Sequence, residues 1–512
     1  MRYIAISILF FLLSHLLYCQ QNGNINQILK DNFSNIETPI LSKIEMYEDF
    51  DTLCYLLKEV YPYYDIKKQL FSTNYDEKIA ELRNKISTIH ETDDFVWILY
   101  QTINLVCDKH LEIPHPQSLN YYLKNNDKAT TKLTSENIVC TYKYYLLTHD
   151  SLYVHMKLGL RFKYINGNYY LLTPFYYKNK LYPEGISLKS IDSISVNTFV
   201  NQYYMEMPGV SFDNKNANYF SDYFFLSPDF IHRKTHLLFF EDEKNNFWKD
   251  TFSVNIPIDG SSKRRDQEDE RSVFTIFDSI LYVHMPLMDD ENFYIQKIQN
   301  LFNQDVTRKI IIDLRGNRGG MDKVWREVLS TIVSDTIQQK ILFYANNTKQ
   351  IRDYLHKSGF DFIQTEYLPL LESEKIKISE GINIISPREN SIHFSGKIII
   401  LQDENTFSAA GSFLTIAKED EAIITIGYDM NDIGGRGLTP LLFQLPHTKM
   451  LVRIPFIIDY SNIHNMSDFF KNIPQIECER SITDFLQRYY SNNPYQLESL
   501  LQDKCFLQAI FL

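Results

Sequence analysis

Several things are missing from this chain, and each absence closes a class of reading. The cysteines show no pairing pattern. Once Cys19 is set aside in the N-terminal apolar stretch, Cys54, Cys107, Cys140, Cys478 and Cys505 remain, an odd number without paired spacing. That argues against a disulfide framework and against a zinc site. No GxGxxG occurs near the glycine-rich segment at 316–320, nor the lysine and Ser/Thr that finish a phosphate loop, so nucleotide binding is disfavoured. Positive charge is in deficit: the net charge of −12 argues against a nucleic-acid partner, favours solubility and would repel anionic membrane surfaces. Beyond Leu17 no run is long and apolar enough to cross a membrane, and no internal repeat stands out.

What is present is ample apolar material. Hydrophobic residues make up 44% and aromatics 14% of 512 residues, enough for more than one core. A soft prior of ~150 residues per domain suggests about three domains. The first twenty residues read as a secretory signal, with Arg2 as the positive start and Ile4 to Leu17 as the apolar stretch. The mature chain is therefore expected to be exported, periplasmic or extracellular. Lipid anchoring at Cys19 is the lesser expectation, because Leu16-Leu17-Tyr18-Cys19 puts a bulky tyrosine where a lipoprotein signal prefers a small residue.

The pattern along the chain divides it further. Residues 21–125 show helical spacing, as in Tyr47 to Lys58 and Phe95 to Tyr100. A polar stretch at 124–136 reads as a loop, and residues 137–260 read as β-rich, with alternation at Ser151 to Met156 and Tyr169 to Pro174. His155, His232 and His236 fall there without a ligand pattern and read as surface or packing residues. The charged run 261–271 reads as a solvated linker. From 272 to 512, strands alternate with helices (289–304, 323–334, 409–418), an α/β arrangement, while 336–395 shows no clear pattern and is expected to form an insertion at the rim of a cleft.

Two strand ends in the α/β part carry chemistry. The apolar strand Lys397 to Leu401 leads to Glu404-Asn405-Thr406-Phe407-Ser408-Ala409-Ala410-Gly411, which places Ser408 before a helix whose free N–H groups favour a developing negative charge. Serine in this position is commonly just a helix cap. About ninety residues upstream, Lys309 to Leu314 enters the turn Arg315-Gly316-Asn317-Arg318-Gly319-Gly320, whose glycines could aim backbone N–H groups at a reacting carbonyl. Asp313 and Arg315 are expected to pair, and Asn317 to fix the turn through its side chain. Lys418 reads as a solvated charge at the helix end. An esterase elbow, GxSxG, is absent, since Thr406-Phe407-Ser408-Ala409-Ala410 lacks both glycines.

These segments, with Ala422 to Gly427, the GGRG at 434–437, Leu445-Pro446 and Met450 to Phe456, resemble the carboxyl-terminal processing, or tail-specific, serine proteases over roughly 270–480. The resemblance implies a ClpP/crotonase-like α/β catalytic core with an N-terminal helical domain and a β-rich PDZ-like domain. It implies peptide-bond hydrolysis through a Ser408 acyl-enzyme, backbone oxyanion donors at Gly319 or Gly320 and at Ala409, polypeptide substrates, and no metal or organic cofactor. The base of the best-known branch is a lysine some two dozen residues after the serine, and Ile426 to Gly437 contains none; Arg436 stays protonated and cannot serve. The tricorn-like branch takes a histidine from the N-terminal part of the chain. Here Cys107-Asp108-Lys109-His110 matches it, with Lys109 in place of the usual small residue, and His110 becomes the expected base. The acidic partner would be Asp459, Asp468 or Glu477, with Asp468 preferred and Asp108 given a local structural role. Leu181 to Val200 resembles part of a PDZ-like domain, a binder of extended chains by strand addition; a generic β-turn-β unit reads equally well. The rival function is a catalytically inactive protease-fold protein that binds peptides or apolar ligands.

Overall fold

The computed structural model describes residues 23–124, 130–150, 160–226, 235–253, 271–360, 362–428, 433 and 440–512. The expected signal with Cys19, the strand at 151–156 with His155, His232, the linker residues 261–270 and the GGRG with Arg436 lie outside these.

The N-terminal part is helical. Helices Lys43–Glu59, Tyr75–Ile86 and Thr92–Asn104 bury Phe50, Leu53, Leu57, Phe95 and Leu99 in one core. Ser42 and Glu45 close the first of these with a reciprocal capping box. The β-rich region was expected from residue 137, but Ser135–Tyr145 is a helix. Thr134 and Asn137 cap it, and Ile138, Val139, Cys140 and Tyr144 fall on its buried side. Among the described residues, Phe162–Ile165 is the first strand of a six-stranded antiparallel sheet completed by Asn168–Leu171, Ser187–Ile191, Ile194–Ser195, Thr235–Glu241 and Phe247–Ser253, and packed by helix Val196–Tyr203. His236 is buried there, its Nδ1 2.8 Å from Asp192.

The α/β part is built on a second six-stranded sheet in the order Ser272–Ile276, Ile280–His284, Lys309–Asp313, Lys397–Gln402, Ile423–Gly427, Ile476–Glu477. The first pair is antiparallel and all later neighbours are parallel. Ile310 to Ile312 and Ile398 to Ile400 are buried without alternation, as expected of a parallel sheet covered on both faces. Ile310, Ile312, Ile398 and Ile400 pack with helices Glu291–Leu301, Asp322–Ile332 and Ala409–Ala417. Ile311 and Ile399 pack with Phe506 and Ala509 of helix Lys504–Phe511 on the other face.

That C-terminal helix is tied down by a bond the cysteine spacing concealed: Cys478 and Cys505 form a disulfide. The expectation of unpaired cysteines is corrected here, because the sheet edge and the C-terminal helix that carry them meet only in the folded chain. Residues 336–395 are also more ordered than expected. Ile337–Asn346, Thr365–Leu368, Ser373–Ile385 and Ile458–Asp459 form a four-stranded sheet. In strand Ser373–Ile385, Ile376, Ile378, Ile382 and Ile384 alternate with Lys375, Lys377 and Asn383, although Ile382 and Ile384 stay exposed.

One connection positions the site. Strand Leu451–Ile454 shares the N-terminal helical core through Val452 and Ile454, and Arg453 pairs backbone to backbone with Glu112 at 2.9 and 3.2 Å. The loop carrying His110 is thereby pinned to the second half of the chain. Among the described residues no helix is long and apolar enough to cross a membrane.

Candidate active site

The end of strand Lys397–Gln402 turns through residues 403–407 before helix Ala409–Ala417. Three bonds hold that turn against the glycine-rich one. Phe407 N–H donates to the Asn317 carbonyl (2.9 Å), Thr406 Oγ1 to the Leu314 carbonyl (3.0 Å), and Gly316 N–H to Asp403 Oδ1 (3.0 Å). Ser408 emerges with φ +57° and ψ −121°. Such a conformation is costly for a residue with a Cβ, on the order of 1–3 kcal/mol, and persists only where surrounding bonds over-determine it. Ser408 occupies the N-cap position, yet its side chain makes no capping hydrogen bond. The hydroxyl is left to the cleft.

The glycine turn is built as the sequence suggested. Arg315 makes a two-pronged contact with Asp313, Nε to Oδ1 at 2.9 Å and Nη2 to Oδ2 at 2.6 Å, and also pairs with Asp503. Burial pushes the Asp313 carboxyl up, but the Arg315 charge, its hydrogen bonds and the Arg488 charge together hold it well below the usual carboxylate range. Asn317 donates to the Met285 carbonyl (2.7 Å) and accepts from Gly319 N–H (2.8 Å). Glycine is required at 319: φ is +98°, and an added Cβ would stand 2.7 Å from the Ser408 Cβ. The two oxyanion candidates in this turn are not equivalent. Gly319 N–H is spent on Asn317, whereas Gly320 N–H and Ala409 N–H have no acceptor among the described residues.

His110 arrives on a loop scaffolded by groups buried far from it in sequence. Lys67, fully buried, donates to the carbonyls of Val106 (3.1 Å) and Cys107 (3.2 Å) and lies 3.6 Å from Asp108. Asp108 accepts the Tyr61 hydroxyl (2.6 Å) and the backbone N–H of His110 (2.9 Å), a local turn-fixing role. The imidazole then lies against Phe407, centroids 4.5 Å apart, with Nε2 3.1 Å from Ser408 Oγ. Burial pushes the His110 pKa down to about 4; the Asp108 charge opposes this, while Arg453 and Lys109 push it further down. The ring is neutral at neutral pH and able to accept a proton at Nε2. Lys109 extends its ammonium over the Phe407 ring, 5.3 Å from the centroid.

The structure does not bring Asp468 to this histidine. Its carboxylate accepts the backbone N–H groups of His464 (2.8 Å) and Asn465 (2.9 Å) and the Asn465 amide (3.0 Å), capping the turn Met466–Phe469. The alternatives are also engaged elsewhere: Asp459 lies 2.7 Å from Lys471 Nζ, and Glu477 pairs with Lys215. Lys418, expected to be solvated, instead donates to the carbonyls of Lys471 (2.9 Å) and Ile473 (2.5 Å). Sequence reasoning missed Tyr61 and Lys67, since a lysine on an amphipathic helix gives no sign that tertiary packing will bury it.

His110, Ser408 and Gly320 open onto a cleft of about 1200 Å³. On its wall, Lys163 lies 2.5 Å from Asp222 and 2.8 Å from Glu404, and Arg480 lies 2.6 Å from the same Glu404 oxygen. This cluster ties the β-rich sheet and the C-terminal segment to the turn that carries the serine.

Residues 279–462 match the family model for peptidase family S41. Among solved structures, mature CPAF is similar in fold over 91% of this chain and 98% of its own, with 14% identity and a TM-score of 0.54. Mature CPAF complexed with lactacystin is similar over 91% and 99%, with 13% identity and a TM-score of 0.52. No curated protein matches the chain. The match covers residues 279–462, about a third of the chain, and it supports a serine-type peptidase.

Proposed function

We propose that the chain is an exported peptidase that cleaves polypeptides with Ser408 as nucleophile and His110 as general base. The observation that carries this reading is the 3.1 Å separation between His110 Nε2 and Ser408 Oγ, within reach for direct proton transfer. His110 takes the hydroxyl proton as Ser408 Oγ attacks the substrate carbonyl. The oxyanion that forms settles between Gly320 N–H and Ala409 N–H, the latter at the start of a helix. The protonated imidazole then passes its proton to the leaving amine, and water, activated by the same ring, releases the acyl group. Asp108 stabilises the transient imidazolium by its charge while holding the backbone of His110. The β-rich region around Leu181 to Val200 is read as PDZ-like, presenting extended chain to the cleft by strand addition.

The test is labelling of the mature protein with a serine-directed fluorophosphonate. Labelling should be lost in both Ser408→Ala and His110→Ala, and peptide hydrolysis with it. Retained hydrolysis in Ser408→Ala would end this reading. A second reading, an inactive binder of peptides, draws on one observation: among the described residues no carboxylate is hydrogen-bonded to the His110 ring. Folded wild-type protein that binds peptide but neither labels nor cleaves would favour it.

A further inference from the structure

The cleft contains two guanidinium groups that this chemistry leaves unused. Arg315, Arg453, Arg480 and Arg488 line it as well, but each is ion-paired, with Asp313, Glu112, Glu404 and Asp503 respectively. Arg161 and Arg318 have no carboxylate within ion-pair distance among the described residues. Arg318 is exposed and immediately precedes Gly319, whose backbone sits against Ser408. Arg161 immediately precedes strand Phe162–Ile165, two residues before Lys163, and both line the cleft. Lys163 contacts Glu404, four residues before the serine.

The acidic groups facing the same space do not cancel this charge. Asp222, Glu404 and Asp503 are already paired. Asp484 pairs with Lys504; among the described residues Asp403 and Glu498 have no ion pair, and Asp403 is turned onto the backbone N–H groups of Gly316 and Asn405. A chain of net charge −12 thus places surplus positive charge beside its nucleophile. The groups are arginines, whose planar forks match a carboxylate better than an ammonium would.

We propose that Arg161 and Arg318 form a carboxylate subsite beside Ser408, so that the peptidase prefers peptides with an acidic group close to the bond cleaved. This rests on Ser408 being the nucleophile. The carboxylate can come from an Asp or Glu side chain or from the chain's own C-terminus, and the two sources are separable.

Matched peptides would carry Glu or Gln near the cleavage site, each made as the free acid and as the C-terminal amide. Hydrolysis would be measured with wild type, Arg161→Gln, Arg318→Gln and the double variant, and binding by fluorescence anisotropy with the same substitutions in Ser408→Ala. The wild type is expected to favour the acidic peptide by about tenfold in kcat/KM and in affinity, less at high salt. The double variant should lose that preference, its kcat/KM for the Glu peptides falling to that for the Gln peptides. A preference that follows Glu against Gln identifies a side-chain carboxylate; one that follows acid against amide identifies the C-terminus. Equal treatment of all four peptides by wild type, or a preference that survives the double substitution, overturns the subsite. Failure of Ser408 to label would instead strike the nucleophile assignment, and the binding measurement would still decide the subsite.

Discussion

The imidazole of His110 and the hydroxyl of Ser408 stand 3.1 Å apart although 298 residues separate them in the chain. The contact depends on the pairing of Glu112 with Arg453, which brings the N-terminal loop onto a strand that follows the serine. Replacing His110 by Ala should therefore lower kcat by about 10³-fold or more with little change in Tm, measured on a neutral peptide alongside thermal unfolding.

With His110 as the proposed base, its lowered pKa would set the acid limb of the pH profile. Activity should be flat near neutrality and fall as pH drops through about 4, where the ring takes up the proton it must accept from Ser408. Stability moves in the same direction. The unfolded chain's histidine protonates below about 6.5 and the folded one only near 4, so the unfolded state binds more protons in that window and stability declines as pH falls through it. The loss is on the order of 3 kcal/mol at most. Denaturant melts of wild type and His110→Gln from pH 7 to pH 4 should show a shallower decline in the variant.

Gly319→Ala is expected to abolish most activity, by about 10²-fold or more, because the new methyl would meet the Ser408 Cβ and Ala409 N at a positive φ. Gly381→Ala is the control: nothing lies within 4 Å of its added Cβ, and its kcat should equal that of wild type.

Glu404→Gln leaves the buried Lys163 and the largely buried Arg480 side chain short of their shared carboxylate and should cost about 3 kcal/mol in urea unfolding. Adding Lys163→Met should cost less than the sum of the two single changes, since the partners form one network. Additive losses would show that the cluster does not act as a unit.

Cys505→Ser should lower stability by about 3 kcal/mol, as expected for opening a loop of sequence separation 27, and should expose the C-terminal helix to proteolysis before the rest of the chain. Limited trypsin digestion with mass analysis would locate the first cut.

Local signals were sufficient for much of this protein. The isoleucine runs at 310–312 and 398–400 read as buried strands, and the glycines of 316–320 announced a turn whose backbone could approach a ligand closely. Ser408 could be singled out because a strand ended just before it and a helix began just after. Other features lacked any local trace. The helix at Ser135–Tyr145 was passed over for strand because its aromatic and β-branched residues suit both, and tertiary burial chose between them. Asp468 looked like a catalytic partner by position, but its carboxylate is consumed by the N–H groups of its own turn.

The sequence alone determined the strands at 309–313 and 397–402, the helix that follows Ser408, the glycine turn, and that a histidine at 110 is available, since these depend on propensity and spacing along the chain. Tertiary structure alone decided that Gly320 N–H is open while Gly319 N–H is spent, that Lys67 and Asp108 hold the histidine loop, that Cys478 meets Cys505, and that Arg161 and Arg318 lack ion-pair partners among the described residues. Hydrogen-bond satisfaction and charge pairing are properties of neighbours in space, and those neighbours exist only once distant parts of the chain share a core.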